Sequence, residues 1–113
     1  MIDTTEYKAA PGLTDDLIGR HVIIRSNYAG VHAGTLTAVG PGGKVRLSAS
    51  RRLWYWWAAQ GHTLTGVALH GLKADKSKIA GALDDIVILD ACEIIPTTAQ
   101  AQASIEEAPT YEP

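Results

Sequence analysis

Apolar and polar positions in the middle of this chain change over in short runs, the spacing expected of strands. HVIIRS at residues 21–26 is β-branched and of strand length, and VHAGTLTAV at 31–39 follows after Asn27-Tyr28-Ala29-Gly30. Gly40-Pro41-Gly42-Gly43 is the strongest turn signal in the sequence. Beyond it KVRLSAS alternates Val45 and Leu47 with Arg46 and Ser48, as a half-buried strand does. Residues 21–50 therefore predict a three-strand antiparallel meander. RRLWYWWA, rich in β-favouring aromatics, predicts a fourth strand at about 51–57. Period two places Arg52, Trp54 and Trp56 on one of its faces and Arg51, Leu53, Tyr55 and Trp57 on the other.

The second half is less regular. Residues 63–69 fit either a capped helical turn or another strand, and Gly66 weakens the helical reading. DDIVILDACEII is apolar on both faces, the mark of a central, covered strand, and Pro96 ends it. Thr97-Thr98 can cap a short helix through AQAQASIEEA, whose single Ile among alanines gives it little to bury, so it predicts a frayed tail or an oligomer contact. The expected fold is mainly β within a small α+β class, an antiparallel sheet or small open barrel with short peripheral helices. Residues 1–19 read as a flexible acidic arm, 20–96 as a single globular domain and 97–113 as an acidic helix or tail.

Composition bounds the class. A chain of 113 residues holds one core, and 46% hydrophobic with 19% charged residues argues against wholesale disorder. No window nears the roughly 18 consecutive apolar residues of a membrane helix, and the N-terminus lacks the basic and apolar regions of a secretion signal. The expected location is the cytoplasm, with no membrane partner. The single cysteine, Cys92, lies in an apolar run and is expected to pack in the core.

The net charge of −2 conceals opposed segments. Residues 20–78 carry nine Lys or Arg and one acid, whereas residues 79–113 carry seven acids and no base. A basic middle suits an anionic partner such as a nucleotide, a nucleic acid or an acidic protein. The alternative is that the acidic segments fold back and neutralise it.

Candidate chemistry is sparse. PGGK has the wrong glycine spacing for a phosphate loop and precedes a strand. The four histidines, His21, His32, His62 and His70, lack metal-ligand spacing, so no metal site is expected. No nucleophile or acid/base constellation is recognisable, which disfavours an enzyme and implies no cofactor. What remains is cations beside aromatics: Arg25, Asn27, Tyr28 and His32 in the first hairpin, then Arg51, Arg52, Trp54 and Trp56. Guanidinium groups bind phosphate bidentately and indole rings stack on bases. A core packed with tryptophan in place of phenylalanine is the competing reading for any given ring.

RSNYAGVHAGTL, RRLWYWWAA and DACEIIP, in this order, resemble a family of small uncharacterised proteins encoded by phages and prophages, over about residues 20–96. In organisation the chain is also similar to phage anti-defence sponge proteins, which oligomerise and sequester the cyclic nucleotide signals of bacterial immunity, such as those of Thoeris and CBASS. That likeness implies a homo-oligomer in the host cytoplasm that binds a cyclic ADP-ribose type or cyclic oligonucleotide signal without cleaving it. On this expectation Arg25, Arg51 and Arg52 pair with phosphates, Tyr28 with Trp54 or Trp56 stacks on a base, and His32 and Asn27 bond ribose or base edges. The alternatives are a single-stranded nucleic-acid binder and a structural or partner-binding phage protein.

Overall fold

The computed structural model describes residues 12–112. The expected arm at 1–19 thus falls largely outside the described residues; of its remainder, Asp15–Leu17 forms a 3-10 turn. The meander is present as β1 (His21–Ser26), β2 (Gly30–Val39) and β3 (Val45–Tyr55), all antiparallel. Ser26 shapes the first turn, where its Oγ accepts the N–H groups of Tyr28 and Ala29 and donates to Asp90 at 2.7 Å.

The fourth strand expected at 51–57 is not separate. Residues 45–55 form one long strand interrupted by a bulge, where Ala49 takes a positive φ of 50° and Ala33 and Thr35 pair with Arg51 and Ser48. Two residues, Ala49 and Ser50, thus oppose Gly34 alone. Gly34 is required there, because a Cβ would lie 2.8 Å from the Ser48 carbonyl oxygen. The extra residue reverses the faces of the strand. Val45 and Leu47 join one core cluster, while Leu53, of the same parity, joins the other.

The apolar run at 84–95 is a second correction. It divides into β5 (Ile86–Ile88) and β6 (Ala91–Pro96), with β4 (Lys78–Ile79) preceding them. Strand β5 pairs with the outer edge of β3 and β6 with the outer edge of β1. In a flat sheet those positions would be four strand spacings apart, about 19 Å. Yet Ile88 and Ala91 are three residues apart in the chain, at most about 10 Å. The sheet must curl, and it does so into a partly open barrel. Val22, Ile24, Leu36, Val45, Leu47 and Ile88 fill its interior. Because β5 and β6 are short and lie at the rim, Val87 and Leu89 are exposed, and so is Cys92, whose Sγ donates to the Arg25 carbonyl rather than packing in the core.

The outer face of the sheet, with Ile23, Ala33, Leu53 and Ile79, is covered by two helices. Residues 64–70 resolve to a helix, α1 (Leu64–His70), capped by Thr63, whose Oγ1 accepts from Gly66 N at 3.1 Å. Gly66 weakens helical propensity but lets the chain close, since a Cβ there would sit 2.2 Å from the Gln60 carbonyl oxygen. The second helix, α2 (Ala99–Glu107), is capped by Thr98. It is no frayed tail, because Ala101 and Ile105 are fully buried in the outer cluster. Among the described residues no helix is long and apolar enough to cross a membrane.

Candidate functional site

Cross-strand register decides which of the singled-out residues meet. Ile24, His32 and Arg52 are partners across β1, β2 and β3, so their side chains leave the same face, which continues the barrel interior toward its rim. Ser50 and Trp54 share that face of β3 by period two. His32, Ser50, Arg52 and Trp54, together with Ala80, Gly81 and Leu83 after β4, line an open cavity of about 280 Å³.

Its chemistry is specific. The Arg52 guanidinium lies 5.7 Å from the centre of the Trp54 ring, and Trp54 is 67% exposed. A guanidinium stacked on an indole keeps its in-plane N–H donors available to an anion. His32 is buried, and its Nε2–H donates to the Ala29 carbonyl at 2.7 Å. A carbonyl can only accept, so the neutral ring carries its proton on Nε2 and leaves Nδ1 as an acceptor. Burial lowers the His32 pKa; the Ala29 carbonyl opposes this, and the charge of Arg52 adds to it. The imidazole is therefore neutral at pH 7. Ser50 is 1% exposed and its Oγ has no hydrogen-bond partner. A buried hydroxyl left unpaired costs free energy that a ligand atom can recover.

The other expected site residues are elsewhere. Adjacent residues of a strand face opposite ways, so Arg51 and Arg52 cannot grip one phosphate. Arg51 is buried on the helix side, where Nε donates to the Ala80 carbonyl at 2.8 Å and Nη1 to those of Ile105 and Ala108 at 2.9 and 2.5 Å. It satisfies carbonyls at the C-terminus of α2 and places its charge at the negative end of the helix dipole. Its task is structural. Arg25, of opposite parity to Ile24, points to the outer face and pairs with Glu93 on β6. Asn27 and Tyr28 stand in the β1–β2 turn outside this cavity, Tyr28 almost fully exposed. Trp56 packs against the outer core cluster because the chain leaves β3 after Tyr55.

The same placements resolve the charge pattern. Acidic segments neutralise Arg25 and, through a bidentate pair at 2.7 and 2.6 Å to Asp85, Arg46. Arg52, Lys76 and Lys78 instead lie over aromatic rings. Sequence reasoning missed Ser50, although its spacing of two and four residues from Arg52 and Trp54 marks the shared face. It also missed Lys78 and Tyr111, which flank a second cavity with Trp54 and Tyr55. No local signal could have found Tyr111: it arrives through its N–H bond to the Ile79 carbonyl at 2.8 Å.

Among the described residues no three His, Cys, Asp or Glu side chains converge as metal ligands would. Comparison with curated proteins and with solved structures finds no match. Residues 19–105, which hold β1 to β6, α1, most of α2 and the Arg52–Trp54 cavity, match the model of a domain of unknown function (DUF6948), and the chain belongs to that family.

Proposed function

We propose that this protein captures a nucleotide-derived ligand without cleaving it, in the cavity formed by His32, Ser50, Arg52 and Trp54. The observation that carries this reading is the Arg52–Trp54 stack on an open cavity whose lining also includes His32 and Ser50. The guanidinium supplies donors for a phosphate, the indole a stacking face for a base, and Ser50 and His32 bonds for ribose or base edges. The lining contains no Asp or Glu to repel an anion or serve as a general base.

In this reading the protein is phage-encoded, and it acts against host defence as a homo-oligomeric sponge for an immune signal of the cyclic ADP-ribose or cyclic oligonucleotide type. The test mixes purified protein with a panel of both ligand types, removes it by filtration and analyses the filtrate before and after heating the protein. Depletion of one compound and its intact return on heating is the expected result. A cleaved product in the filtrate would make the protein an enzyme, and a panel left undepleted would remove the reading.

A further inference from the structure

We infer that the ligand is a short oligonucleotide of two or three bases, laid along a strip of three joined cavities rather than held in one. This rests on the reading that the Arg52–Trp54 cavity receives a nucleotide. The cavities share walls: Trp54 borders both the first and a second of about 520 Å³, and Tyr55 borders both the second and a third of about 280 Å³. Among the described residues none of the three is lined by an acid.

The first two cavities each have a cation and a ring in their own lining, and beside the third a lysine outside the lining lies over one of its rings. Arg52 lies over Trp54, Lys78 Nζ is 5.2 Å from the centre of Tyr111, and Lys76 Nζ is 5.3 Å from that of Trp57, which lines the third cavity. The repeat of cation with aromatic matches a polymer that repeats phosphate with base. A mononucleotide would occupy one such unit and leave two idle.

The ends of the strip carry a second, independent mark. Among the described residues the buried side-chain polar atoms without a partner are Ser50 Oγ and Trp57 Nε1. Ser50 belongs to the first cavity and Trp57 to the third. Such groups are uncommon in folded proteins and call for a partner. Both atoms lie beneath the present surface of the strip, so a ligand reaches them only where the side chains above give way, and one that reached both would span the strip from end to end.

The experiment titrates the full chain with AMP, with cyclic ADP-ribose, with linear di- and triadenylate and with cyclic di- and triadenylate, following tryptophan fluorescence. Lys78→Ala and Tyr111→Ala, both at exposed positions, are measured beside the unaltered protein. Affinity should rise by about tenfold or more with each added base and fall with increasing salt. The two variants should lose about tenfold toward the trimer while binding AMP unchanged. If only the cyclic forms bind, the ligand is a cyclic oligonucleotide; if linear forms bind as well, it is single-stranded nucleic acid. Equal affinity for AMP and the trimers, or trimer binding untouched in both variants, overturns the strip and leaves the single cavity standing. No binding of any of these compounds overturns both.

Discussion

His32 and Arg52 stand directly opposite one another on β2 and β3, so a buried neutral imidazole and a half-buried arginine line the same cavity. Arg52 reaches outward to Trp54, and neither Arg52 nor Trp54 belongs to the hydrophobic clusters. Arg52→Ala and Trp54→Ala should therefore each weaken ligand capture by about 10- to 100-fold, given stacking and charge-assisted bonds of roughly 1–3 kcal/mol. Stability should shift by no more than about 0.5 kcal/mol, as at other surface positions. Calorimetric titration paired with thermal melts checks both halves.

Arg51→Leu should behave in the opposite way. Losing the guanidinium strands the carbonyls of Ala80, Ile105 and Ala108, each buried acceptor costing about 1–3 kcal/mol when unpaired. Urea denaturation should report a loss of several kcal/mol, with the amides of residues 99–111 exchanging fastest. A variant as stable as the parent would show that α2 docks without this pin.

Gly66→Ala tests whether α1 tolerates a better helix former. Propensity alone favours alanine by about 1 kcal/mol. The new Cβ would meet the Gln60 carbonyl oxygen at 2.2 Å, and an overpacked site costs about 1–3 kcal/mol, so the clash wins and the melting temperature should drop. The Thr63 cap should persist, because its bond is to the backbone N–H of residue 66.

Stability should fall below neutral pH because of two histidines. Burial lowers the folded-state pKa of His21, against the opposing charge of Glu106, and of His32 from the ordinary value of 6.5. The unfolded chain then binds more protons than the folded one, so acid favours unfolding. Stability is complete above about pH 6.5 and declines as pH drops through it toward the folded-state values, by at most about 1.4 kcal/mol per pH unit for each histidine. Imidazole titrations followed by NMR should place both transitions below 6.5. Melts at pH 7.5 and 5.5 should differ accordingly, with the lower pH less stable.

Much of the fold was legible because its signals are local. Period two and the Gly-Pro-Gly-Gly turn mark β1, β2 and the start of β3, and Thr98 marks the beginning of α2. Of the candidate site, Arg52, Trp54 and His32 were legible as types, a cation and a ring on one strand face with a histidine nearby in sequence. Arg25, Arg51, Asn27, Tyr28 and Trp56 carried the same composition signal and lie outside that cavity, because composition does not say which face a strand buries.

By itself the sequence determined the strand meander, the antiparallel class and the pairing of cations with aromatics in residues 51–57, since each depends on residues within a few positions of one another. Tertiary structure alone decided the rest. The bulge at Ala49–Ser50 exchanged the faces of β3, sending Leu53 to the helices and leaving Ser50 beneath Arg52 and Trp54. The division of residues 84–95 between opposite edges of the meander curled the sheet, and the grip of Arg51 on α2 brought Thr110 and Tyr111 beside β4. Both outcomes depend on contacts between residues far apart in the chain, whose entropy of closure is offset only when the whole core forms.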